Sequence, residues 1–168
     1  AFFDSAGPFG GLKVDLYEGG IRVPLIARWP GRIKPDTISN HPAAFWDFLP
    51  TIAAATGANS PTGIDGFSFL PALLGNDAAA PRHKSFYWEL TGAQAIRQGD
   101  WKLVKNSPRR AGVSRKTRRT ELFNLTADPG ERHDLAAQMS AKVKELEDEM
   151  ARQHSPSEAF PLKRAAKK

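Results

Sequence analysis

The strongest constraint on what this chain can fold into lies in its second half. Four short apolar or aromatic segments there are followed by one stretch of helical period. Phe86–Leu90 reads as a strand, and Ala93–Arg97 with Trp101–Lys105 reads as a β-hairpin around Gln98-Gly99-Asp100. Glu121–Leu125 makes a further strand, and Asp128-Pro129-Gly130 is a turn in which Pro presets φ and Gly accepts a positive one. Met139, Val143, Leu146 and Met150 then recur every three or four residues, with Lys144, Glu145, Glu147 and Asp148 on other faces. Ser140 is the expected N-cap of that helix. The implied structure is a small antiparallel sheet packed on a C-terminal helix.

The first half has too few elements for a sheet of its own. Ile21–Trp29 reads as a strand, with Pro24 placing its start at or after that residue. Phe45, Phe48, Leu49, Ile52 and Ala53 have helical spacing, Pro50 divides or restarts that helix, and Gly57 stops it. The Ala-, Asn- and Asp-rich loop Gly75–Pro81 is the expected boundary between the two halves. The whole reads as α/β, the end of a larger α/β domain followed by a sheet-and-helix subdomain.

Composition removes several classes of function. The 168 residues contain no Cys, which excludes a disulfide scaffold, a Cys-based zinc site and a cysteine nucleophile within them. No apolar run approaches the roughly 20 residues of a membrane-spanning helix, and no signal peptide is visible at Ala1-Phe-Phe-Asp4. His41, His83, His133 and His154 form no H-x-x-x-H pair and read as surface or loop residues. Neither a G-x-S-x-G elbow nor a P-loop is present, since Leu12 and Val14 flank Lys13. Asn124-Leu125-Thr126 is a glycosylation sequon, a pattern short enough to arise by chance.

The net charge of +6 is unevenly spread, and Lys163, Arg164, Lys167 and Lys168 make the tail basic. Lys105, Arg109, Arg110, Arg115, Lys116, Arg118 and Arg119 lie in residues 105–119 with no acid among them, and without them the net charge falls to −1. Such a run can contact sulfate or phosphate polyanions, or simply solvate a loop. No aromatic residue interleaves it, which argues against single-stranded nucleic acid.

The remaining candidate is Gly10-Gly-Leu-Lys-Val-Asp-Leu-Tyr-Glu-Gly-Gly-Ile-Arg-Val-Pro24. A Lys held on a glycine-rich loop is a compact charge able to approach an oxyanion. This stretch strongly resembles the segment following the Asp-Asn-Gly metal motif of the sulfatases, within the alkaline phosphatase superfamily. The likeness continues through Arg28–Gly31, Asp47–Thr51, Gly63–Pro71, Arg97–Lys102, Glu121–Leu125 and Asp128–Glu131, in the family's order.

The resemblance implies a hydrolase of sulfate esters, on sulfated sugars or aryl sulfates, with Lys13 contacting the sulfate group. Residues 1–80 would be the C-terminal part of the catalytic α/β domain and 81–168 the C-terminal subdomain. Glu18 and Arg22 would form a structural ion pair shaping the Gly-Gly loop, and Asp47 would serve helix geometry. The family's calcium and its formylglycine, made from a C/S-x-P-x-R motif, would lie outside this chain. Ser107-Pro-Arg-Arg110 has the wrong spacing, and Asp-Asn-Gly is lacking. The chain therefore reads as a portion entered just downstream of that motif, inactive alone and prone to aggregate through the Ile21–Trp29 face.

The resemblance also implies an exported or lysosomal protein: periplasmic, extracellular or in an organelle. A sulfated glycan is the partner to expect at the 105–119 loop. A phosphoester or phosphonate hydrolase of the same superfamily, or a stand-alone polyanion-binding module, is the alternative.

Overall fold

The computed structural model describes residues 5–90, 92–105, 119–159 and 161–162. The elements are helices α1 (Glu18–Ile21), α2 (Phe48–Thr56), α3 (Leu70–Leu73) and α4 (Ser140–Gln153), and strands β1 (Phe86–Leu90), β2 (Ala93–Gln98), β3 (Trp101–Lys105) and β4 (Thr120–Asn124). Short 3-10 turns lie at Phe45–Asp47 and Asp77–Ala79. Two compact units result. One holds the described residues up to Val23 together with those from Lys84 onward; the other is Pro24–His83.

The first unit is built on a fully antiparallel sheet in the order β1-β2-β3-β4. Gln98 pairs with Trp101, so the β2–β3 loop is two residues, and Gly99 occupies its first position at φ +58. That turn matches the twist of the flanking strands, and only Gly takes its first position freely. Side-chain alternation then sorts the strands into two faces. Ile96, Leu103 and Leu122 face α4, where they bury Leu146 and Met150, with Trp101, Met139 and Val143 packed around them. Ala93, Ala95, Val104 and Phe123 face the other way and are covered by Leu16 and Tyr17 of the glycine-rich segment. Besides Ala95, five large apolar side chains, Ile96, Leu103, Leu122, Phe123 and Leu146, are wholly inaccessible. Each contributes about 1.5–3 kcal/mol relative to exposure.

The second unit has α2 as its centre. Pro50 sits in the first turn of α2, where its missing N–H costs nothing, so it does not divide the helix. Gly57, at φ +73, ends it. Asp47 does serve local geometry: its carboxylate accepts the Ala44 N–H at 2.7 Å and the Phe67 N–H at 2.9 Å. Thr51 donates to the Asp47 carbonyl at 2.6 Å and accepts the Phe69 N–H at 3.0 Å.

Several details differ from expectation. Val23–Trp29 forms no strand. Pro24 has no N–H to give, no strand among the described residues pairs with the segment, and Ile26 is 92% exposed. Phe45, Leu49 and Ile52, which share the helical spacing, are likewise exposed. Ser140 is the first residue of α4, not its cap. The Met139 N–H bonds back to the Leu135 carbonyl, so the helix grows out of a preceding turn. Of the basic run, residues 106–118 lie outside the described residues.

Candidate functional site

Lys13 stands at the corner of a four-residue turn, Leu12–Asp15. The Asp15 N–H donates to the Leu12 carbonyl at 2.9 Å, and the Asp15 Oδ2 accepts the Leu12 N–H at 2.9 Å. Val14 takes φ +82 in the position where such turns normally carry Gly. A β-branched residue there stores about 1–2 kcal/mol of strain. Lys13 is exposed and makes no ion pair among the described residues. Asp15 is 1% exposed, and its Oδ1 finds no hydrogen-bond partner among them.

Behind the turn, α1 is fastened to the sheet by buried charge. Lys102, entirely inaccessible on β3, lies 2.8 Å from Glu18 Oε1 and 2.9 Å from Glu131 Oε1. The Glu18 N–H donates to Glu131 Oε2 at 2.6 Å. Arg22 and Arg97 stand further from the Glu18 carboxylate, at 3.7 and 3.9 Å. The Glu18–Arg22 pair is therefore present, but Lys102 is the closer partner. Burial pushes the Glu131 carboxyl above its ordinary value, while the Lys102 ammonium draws it back. Tyr17 donates to Glu121 Oε2 and stacks edge-on against Phe123.

Lys102 and Glu131 were not among the candidate residues, although both lie in motifs that carry the resemblance. The signal was strand alternation: Lys102 shares a face with Val104, one residue out of step with Leu103.

The histidines are dispersed. His83 lies in a loop and is nearly buried. Its Nε2 lies 2.7 Å from Asp47 Oδ1, and its ring packs against Phe67 and edge-on to Trp46. His133 is exposed beside Asp128, and His154 pairs with Glu89 at 2.9 Å. Burial and Arg82 lower the pKa of His41. Among the described residues no group of three or more His, Cys, Asp or Glu side chains is gathered to hold a metal ion.

Residues 12–156 match the family described as N-sulphoglucosamine sulphohydrolase, C-terminal. Steryl-sulfatase of Mus musculus is 30% identical over 168 aligned residues, covering 86% of this chain and 27% of the relative. Arylsulfatase A of Homo sapiens is 33% identical, covering 80% and 30%. The ulvan-active sulfatase of Formosa agariphila is 30% identical, covering 74% and 31%. A solved structure concerned with metabolism of multiple glycosaminoglycans by Bacteroides thetaiotaomicron superposes with a TM-score of 0.68 at 28% identity, covering 87% of this chain and 32% of the other. Ps i-CgsB matches with the same TM-score, identity and coverage. The chain spans less than one third of the length of each. The chain belongs to the sulfatase family and carries its C-terminal region.

Proposed function

We propose that this chain is the C-terminal part of an enzyme hydrolysing sulfate esters, with Lys13 contacting the sulfate group. The observation that carries the reading is the turn itself: an exposed ammonium, unpaired among the described residues, on a rigid corner. Hydrolysis of R–O–SO3⁻ by water yields the alcohol and sulfate, and breaking the bond gathers negative charge on the departing oxygen. A fixed cation on the sulfate group, within reach of the departing oxygen, lowers the barrier by meeting that charge without reorganising. Lys13 suits this as a point charge, reaching oxygens without needing a planar partner.

The nucleophile and the calcium ligands belong to sequence outside these residues, so the chain by itself has no turnover. Residues 1–80 complete the catalytic α/β domain and 81–168 form the C-terminal subdomain, with the described residues up to Val23 packed on the sheet of the latter. Relatives named for arylsulfates, sterols and ulvan support an aryl sulfate or a sulfated glycan as the substrate class. The 105–119 run supplies a cationic contact for such a glycan, and the compartment is periplasmic, extracellular or lysosomal.

The test is Lys13→Ala in the full-length protein carrying this chain, with p-nitrophenyl sulfate as substrate. Loss of one such electrostatic contact lowers kcat/KM by about 10²–10³. A change below threefold would refute the assignment. p-Nitrophenyl phosphate, run in parallel, separates sulfatase from phosphoester hydrolase.

A further inference from the structure

Two features of the Lys13 turn work against stability. Val14 holds a left-handed backbone that Gly would adopt without cost, and Asp15 carries a carboxylate into a site that is 1% exposed. A loop that merely solvated Lys13 would need neither. What they achieve together is a closed geometry. The Asp15 backbone N–H and side chain both return to Leu12, one bonding its carbonyl and the other its N–H. The turn is also gripped from both sides. A Cβ on Gly20 would overlap the Asp15 carbonyl oxygen and stand 2.6 Å from that of Leu12. A Cβ on Gly11 would meet Tyr17 Cβ at 2.8 Å and Asp15 Cβ at 3.2 Å. The two glycines let the turn pack closely, Gly20 against its backbone carbonyls and Gly11 against the Asp15 and Tyr17 side chains.

We infer that Asp15 is a positioning residue for Lys13: by holding the Leu12 N–H it fixes the corner from which the Lys13 ammonium reaches the sulfate. This rests on the reading of Lys13 given above. Asp15 acts through backbone geometry, so the acceptor oxygen matters and the negative charge does not. A misplacement of about 1 Å at a reacting group can cost about a hundredfold in rate.

The experiment is a double-mutant cycle in the full-length protein, with kcat/KM for p-nitrophenyl sulfate and inhibition by inorganic sulfate as readouts. Asp15→Ala is expected to lower kcat/KM by about ten- to a hundredfold and to weaken sulfate inhibition. Asp15→Asn, whose amide oxygen can accept the same N–H, should stay within about threefold of wild type. In the Lys13→Ala background, Asp15→Ala should change kcat/KM by less than about twofold, because the group it positions is gone.

A full loss on top of Lys13→Ala would overturn the inference, since Asp15 would then act on the fold at large. So would wild-type kinetics for Asp15→Ala while Lys13→Ala is impaired. If Lys13→Ala itself has no effect, the assignment of Lys13 fails and the inference falls with it. Should Asp15→Ala not fold, Asp15→Asn decides: activity within threefold at an unchanged unfolding temperature supports positioning, and a loss beyond tenfold overturns it.

Discussion

Lys102 is the residue whose removal should matter most to the fold. Its ammonium is wholly inaccessible and lies 2.8 and 2.9 Å from two carboxylates that are themselves almost inaccessible. At an effective dielectric of about 20, each contact is worth roughly 6 kcal/mol of Coulomb attraction, against a desolvation cost of several kcal/mol per ion. The net value of the group is therefore small, but removing only its centre is not. Lys102→Met removes the cation between buried Glu18 and Glu131 and leaves Glu18 only the more distant Arg22 and Arg97; one-sided removals of this kind cost about 3–5 kcal/mol. A domain of this size has about 5–15 kcal/mol in total.

Urea unfolding followed by tryptophan fluorescence reads this directly. Trp88 and Trp101 pack against opposite faces of the sheet. With a slope of about 2 kcal/mol/M, the midpoint should fall by about 2 M.

The pH dependence identifies the cause. Burial already raises the Glu131 carboxyl above its ordinary 4.5, and Lys102 is the main influence pulling it down. Without Lys102 it rises further. A raised carboxyl binds its proton more tightly when folded, so stability is lost as pH climbs from about 4.5 through the folded value. The variant should recover part of its deficit on acidification toward pH 5. The triple variant Glu18→Gln, Lys102→Met, Glu131→Gln should be more stable than Lys102→Met alone. A Lys102→Met penalty below about 1 kcal/mol, or one equal at pH 5 and pH 8, would refute the reasoning.

Glu149 on α4 gives the opposite sign. Arg152, Gln153, Lys84 and Ser85 hold its carboxyl down to about 2, so its contribution is complete above about 4.5 and is lost as pH falls toward 2. That contribution is at most about 3 kcal/mol, and Glu149→Gln should flatten the fall in unfolding temperature between pH 5 and pH 2.5. In the second unit, Ile26, Phe45, Leu49 and Ile52 are 92%, 73%, 54% and 57% exposed. The 168-residue chain alone should bind a hydrophobic dye and self-associate in size-exclusion chromatography, and Ile26→Ser with Leu49→Ser should reduce both. A monodisperse wild-type chain with no dye binding would count against this.

The sheet and α4 were legible because their information is local. β1, β2, β3 and β4 alternate about turn residues whose backbone demands are specific, Gly99 above all, and the α4 stripe repeats at a helical period. Where information is non-local, the reading went astray. Helical spacing at Phe45, Leu49 and Ile52 shows that α2 has an apolar face but not whether anything covers it. The apolar start of Ile21–Trp29 signals strand propensity, yet a strand exists only against a partner, and none pairs with it among the described residues. Nothing local marks Lys102 for burial, since nearly all lysines are solvated. Its partners are 84 residues earlier, at Glu18, and at Glu131 beyond β4.

That long-range pairing explains why charge sits where a hydrophobic contact would ordinarily serve. The segment that carries Lys13 has one four-residue helix and no strand, so it cannot hold its own conformation. Apolar contact through Leu16 and Tyr17 brings it onto the sheet, but such contacts are non-directional and tolerate sliding. The hydrogen-bonded charges do not. Glu18 must meet Lys102 with its side chain and Glu131 with its backbone N–H at once, and Tyr17 must reach Glu121 from the preceding residue. Only one register of the segment satisfies all three. A buried ion network is weak as a source of stability and strong as a source of registry. Here the registry it sets reaches, through Asp15 and Gly20, the turn on which Lys13 stands.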